Sequence, residues 1–96
     1  MAVRIICINK DYGNHYNPHE AISYYGWRNE QTGENGRASR AVMVDFLQNK
    51  RGVAYVGDGS QKAYCYVLVS PAGTKYLQTQ TDGRWSNNLL NLPECR

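Results

Sequence analysis

The chain has 96 residues, 42% of them apolar and 11% aromatic, and its eleven Lys/Arg against eight Asp/Glu give a net charge of +3. That balance supports one modest hydrophobic core over residues 1–96, treated as a single small domain, and excludes a disordered, acidic or densely basic chain. The apolar runs are too short for a membrane-spanning helix, so no membrane partner is expected. Cys7, Cys65 and Cys95 are odd in number and widely spaced with no apolar leader, which points to a reducing cytoplasm.

Residues 2–9 include Val3-Arg4-Ile5-Ile6-Cys7-Ile8, a β-branched, nearly continuous run expected of a central strand covered on both faces. Asn17-Pro18-His19-Glu20 then predicts a short helix, with Asn as cap, Pro at the first helical position, Glu closing a capping box and Gly26 as terminator. Thr32-Gly33 and Asn35-Gly36 are turn formers, so Trp27 to Arg37 reads as a loop or irregular hairpin.

Ser39 caps a longer amphipathic helix whose stripe is Val42, Met43, Phe46 and Leu47, with Gly52 expected as its left-handed exit. Three strands follow, Val53 to Val56, Lys62 to Ser70 and Lys75 to Gln80, joined at Gly57-Asp58-Gly59 and Pro71-Ala72-Gly73 into an antiparallel meander. In the second of them Ala63, Cys65, Val67 and Val69 share the core face, leaving Tyr64 and Tyr66 on the other. Asn87 and Asn88 introduce a last turn whose Leu89, Leu90 and Leu92 dock on the core before Pro93 stops it. The expected class is therefore α+β: an N-terminal strand, a short helix, a longer helix, a three-stranded meander and an ordered Leu-rich C-terminal segment.

The string Lys75-Tyr76-Leu77, Thr79, Asp82-Gly83 and Asn88-Leu89-Leu90-Asn91-Leu92-Pro93-Glu94-Cys95 resembles the bacterial family known as domain of unknown function 3892. Ile5, Pro18-His19-Glu20, Ile22 and Gly26 extend the resemblance into the first half, while the polar stretch 28–39 looks longer and more charged than the family's pattern. The resemblance implies a single domain. It brings no activity, cofactor or catalytic residue.

Candidate chemistry is correspondingly sparse. His15 and His19 are four apart, the spacing of a zinc-binding helix, but Pro18 starts the helix after His15 and takes the pair out of register. Cys7 and Cys65 lie in apolar strands, where a thiol is usually an inert hydrophobe; Cys95 is the least constrained. No catalytic residue and no cofactor is expected. A recognition surface has better support: Tyr55, Tyr64, Tyr66 and Tyr76 with Lys62 and Lys75 would form a sheet face able to stack bases and hold phosphates. The same rings would equally serve as buried cross-strand pairs. Arg28, Arg37, Arg40, Lys50 and Arg51 bracket the polar loop and the second helix, where they suit a partner or a phosphate as well as plain solvation. The expectation is a non-enzymatic binding module for nucleic acid or protein, of open oligomeric state. A protein-binding inhibitor or adaptor is the alternative, and a metal-dependent enzyme using His15 and His19 a third reading.

Overall fold

A computed structural model describes residues 2–11, 18–57, 62–81, 83–86 and 88–95. It opens with β1 (Ala2–Lys10), an interior strand. A 3-10 turn at Pro18–Ala21 leads into β2 (Ile22–Arg28), which forms a hairpin with β3 (Asn35–Ser39). After α1 (Arg40–Gln48) come β4 (Val53–Val56), β5 (Ala63–Val69), β6 (Lys75–Thr81) and β7 (Arg84–Ser86). All belong to one mixed sheet in the order β3-β2-β1-β4-β5-β6-β7, with β1 and β4 parallel and every other neighbouring pair antiparallel. No helix among the described residues is long and apolar enough to cross a membrane.

This architecture corrects the α+β expectation of two helices and a three-stranded meander. The capping pattern at Pro18 closes only a single 3-10 turn, because Ile22, Tyr24, Tyr25 and Trp27 are β-branched or aromatic and pair along β1 instead. Of the two expectations for the polar stretch, loop or irregular hairpin, the structure has the hairpin, closed by an ordered turn. The Asn29 side-chain oxygen accepts from the amides of Gln31 and Thr32, Asn29 N–H donates to Glu34 O, and Gly33 takes φ 79°. At the far end β7 adds a fourth strand to the meander. The turn residues Asp58 and Gly59, together with Asn17, His15, Asp82 and Asn87, lie outside the described residues.

The one α-helix among the described residues starts where the sequence puts it, the Ser39 hydroxyl accepting from Val42 N–H at 3.2 Å. Met43 and Val44 are buried and Phe46 and Leu47 pack against the core, whereas Val42 is 59% exposed, so Val44 takes its place on the stripe. The exit also differs. Arg51, not Gly52, has the positive φ, of 54°. Gly52 is needed for space: its N–H donates to Phe46 O, and a Cβ there would lie 2.2 Å from the Phe46 ring.

The core joins Val3, Ile5, Ile8, Ile22, Tyr25, Ala54, Val56, Cys65 and Leu77 to the helix residues Met43 and Val44. A bulge in β1 between Ile5 and Cys7 shifts the alternation, so Val3, Ile5 and Ile8 are buried while Ile6 is exposed and Cys7 half-buried. In β5, Ala63 and Cys65 face the core as expected, but Val69 is 58% exposed where the strand runs past it.

Pairing with β4 covers only Ala2 to Arg4 of β1. Farther along, the C-terminal segment takes that edge: Ile8 N–H donates to Pro93 O, Cys95 N–H donates to Ile8 O, and Ile8 and Glu94 form a parallel bridge. Leu89 is fully buried beside it, with Leu90 and Leu92 packed on the same cluster. Leu89→Ala should therefore destabilise the protein by about 2–5 kcal/mol. Urea melts check this, and an unchanged midpoint contradicts the anchoring role of the segment.

Candidate functional site: the helix-free face of the sheet

Strand register decides which side chains share the face turned away from α1. Arg4 lies opposite both Arg28 and Tyr55; Tyr55 lies opposite Tyr64, Tyr64 opposite Gln80, and Gln80 opposite Trp85. Tyr66 joins through Gln78. On the β1 side the same parity brings in Arg37, Tyr24 and Gly26.

The four predicted tyrosines divide into two pairs. Tyr64 and Tyr66 are 45% and 47% exposed, and the Tyr66 ring meets Trp85, itself 48% exposed, edge to face at 6.0 Å. Tyr55 is buried: its hydroxyl donates to Glu30 Oε1 at 2.6 Å and its ring lies 6.2 Å from that of Tyr64. Tyr76 is buried as well, its ring 6.4 Å from His19 at the 3-10 turn. The expected platform of four rings is thus Tyr64, Tyr66 and Trp85, with Tyr55 as a wall beneath.

The basic residues divide in the same way. Lys62 sits over the Tyr55 ring at 4.4 Å, on the aromatic face. Lys75 lies on the other side of the sheet and donates to Gln48 of α1 at 3.1 Å. Arg28 is exposed at the end of β2, and Arg37 stacks over the Tyr24 ring at 4.8 Å, both on the helix-free face. Arg40 instead turns inward, its guanidinium donating to Glu20 O, while Lys50 pairs with Asp45 at 3.7 Å and Arg51 forms the exposed helix exit. The predicted cluster of five is therefore two separate groups, and only Arg28 and Arg37 join the sheet face.

Glu30 is the acidic member of this surface, 3.5 Å from Arg4. The Tyr55 hydrogen bond, helped by Arg4, holds its carboxyl below the usual range, and the same bond with Glu30, together with burial, raises the Tyr55 phenol. Arg4, Arg28, Arg37 and Lys62 leave the face net positive.

Sequence reasoning passed over Trp85, Tyr24 and Glu30. Trp85 had a signal in Asp82-Gly83, a hairpin pair that implies a returning strand. Glu30 had none, since only the hairpin brings it to Tyr55. The cysteines correct a further expectation: Cys7 and Cys95 are joined by a disulfide, so Cys7 is no inert strand thiol, and the cysteine count loses its force as an indicator of compartment. Cys65 does behave as a buried hydrophobe, its thiol pushed up to about 12 by burial.

Of the two histidines, His15 lies outside the described residues and His19 is buried. No group of three or more His, Cys, Asp or Glu able to hold a metal occurs among the described residues. Burial, and then the nearby Lys10 charge, push the His19 imidazole below its ordinary 6.5. The neutral ring is favoured on folding, so its contribution to stability is present above pH 6.5 and is lost as pH falls through the folded value. An NMR titration of a His15→Asn variant should give a midpoint below 6.5 for the remaining imidazole; a midpoint at or above it contradicts the buried environment.

A helix-backed mixed sheet with a stacked aromatic and cationic face is the class of protein these observations define. By sequence, the chain belongs to the family described as Protein of unknown function (DUF3892), which matches residues 4–93. No curated protein and no solved structure matches it.

Proposed function

We propose that the protein is a non-enzymatic binding module that recognises single-stranded nucleic acid on the helix-free face of its sheet. The observation that carries this reading is the exposure of Tyr64, Tyr66 and Trp85 on one face, the tyrosines on β5 and the tryptophan on β7 with β6 between them. Unstacked bases find flat π-surfaces there, and stacking on such rings is tolerant of sequence. Lys62, Arg28 and Arg37 supply cations for the backbone on the same face. Gln78 and Gln80, between the rings, offer amide donors and acceptors for base edges.

A protein-binding adaptor or inhibitor is the second reading, and a different surface favours it. Val3, Trp27, Ala38, Val42, Met43 and Phe46 line a mostly apolar cleft of about 180 Å³ between α1 and the first strands, with Val42 exposed at its rim. A cytoplasmic setting belongs to the proposal too. It is checked by alkylating free thiols at the moment of cell lysis: Cys7 and Cys95 found reduced support a reducing compartment, and found bonded oppose it.

Fluorescence anisotropy with a labelled single-stranded oligonucleotide tests the main reading. Binding should weaken steeply from low to moderate salt, and Tyr66→Ala and Trp85→Ala should each lower affinity by about tenfold, the loss of one stacked base. Absence of binding at low salt, or variants that bind as well as the parent, transfers support to the apolar cleft.

A further inference from the structure

We propose that the Cys7–Cys95 pair is a reversible thiol–disulfide exchange site that accepts a small anionic thiol of the glutathione class. The bulge in β1 lifts Cys7 out of the core alternation, and the parallel bridge at Ile8 brings Cys95 beside it, leaving both half-buried. Gly26 makes room for the pair: a Cβ there would lie 2.1 Å from Cys7 Sγ and 2.8 Å from Cys95 Sγ. The sulfurs rest on bare β2 backbone, with Cys7 Sγ the closer of the two to Gly26.

Three further observations turn this from a staple into a site. First, the cysteine Cα atoms are 4.9 Å apart, and backbone hydrogen bonds between Ile8 and Pro93 and between Cys95 and Ile8 hold them there independently of the sulfur bond. The Asn9 side-chain amide adds a bond to Cys95 O. Reduced thiols therefore stay within reach, and reclosure is an intramolecular step. Second, a cleft of about 320 Å³ opens beside the sulfurs, lined by Ile6, Gly26, Asn35 and Arg37 as well as by the pair, which is room for a small molecule. Third, Arg37 stands in that cleft on the Tyr24 ring, and among the described residues no carboxylate is paired with it. A guanidinium so placed suits the carboxylate of an incoming acidic thiol.

The chemistry balances without further components. The thiolate of the small molecule attacks Cys95 Sγ; a mixed disulfide forms as the Cys7–Cys95 bond breaks, and its electron pair leaves on Cys7 Sγ. A second thiolate attacks the sulfur of the small molecule in that mixed disulfide, releasing the oxidised dimer and a Cys95 thiolate, while water protonates both cysteines as their acidity requires. Two small thiols are oxidised for each protein disulfide reduced, and the reverse sequence restores the bond. Cys65, buried in the core, takes no part and serves as an internal control.

The test treats the folded full chain with glutathione in native buffer, quenches by alkylation and follows intact mass and peptide maps. Exchange should proceed without denaturant, with the mixed disulfide on Cys95. Trapping with oxidised glutathione should label Cys95 in Cys7→Ser readily. Arg37→Gln should slow glutathione by about three- to tenfold, the order expected of one screened unit charge, while leaving the cationic thiol cysteamine no slower. Circular dichroism of each variant confirms that it is folded before rates are compared. Exchange that occurs only as fast as urea unfolds the protein, glutathione found on Cys7, or an Arg37→Gln effect equal for both thiols would each overturn the proposal.

Discussion

Everything in this fold rests on how β1 satisfies its second edge. A strand in the interior of a sheet cannot leave backbone amides and carbonyls unpaired, yet β4 is in register with only Ala2, Val3 and Arg4. The chain resolves this by sending its last described residues back along β1, where Pro93 and Cys95 exchange hydrogen bonds with Ile8. The same return seats Leu89 in the core and places Cys95 against Cys7. On the chain-entropy account, a covalent loop of 88 residues adds stabilisation on the order of 4 kcal/mol. The hydrogen bonds, the leucine anchor and the sulfur bridge thus secure one short segment by three physically different means.

Much of this is legible in the sequence. The strand at Val3 to Ile8, the Ser39-capped helix, the three strands from Val53 to Thr81 and the docked leucines all follow from local pattern, but the expectation that the first strand is covered on both faces does not hold, since Ile6 is exposed on the face away from α1. The region from Pro18 to Gly26 departs from its reading because two signals compete there. A capping box argues for helix at Pro18, while Tyr24, Tyr25 and Trp27 argue for strand, and pairing with β1 decides between them. Gly26, read as a helix terminator, has a reason that no local rule contains: two sulfur atoms occupy the place of its side chain.

The candidate surface was half legible for a similar reason. Side-chain parity within β5 correctly turns Tyr64 and Tyr66 outward, since alternation is a property of a single strand. It says nothing about what covers the neighbouring strands, and so missed that Glu30 engages Tyr55 and that the 3-10 turn lies against Tyr76. Lys75 illustrates the limit most simply: being next to Tyr76 in sequence puts it on the opposite side of β6, within reach of Gln48. Disulfide pairing was illegible altogether, because it depends on a bulge that shifts Cys7 by one step.

The bridge between Cys7 and Cys95 also changes how the molecule would carry a mechanical load. Tension applied between Ala2 and Cys95 runs through the first residues of β1 and across the sulfur bond, bypassing the helix, the β2–β3 hairpin and the whole meander. While the bond is intact, pulling on these two points cannot draw out the intervening chain. Once it is broken, the force falls on the parallel bridge at Ile8, and the C-terminal segment becomes the first part to peel away.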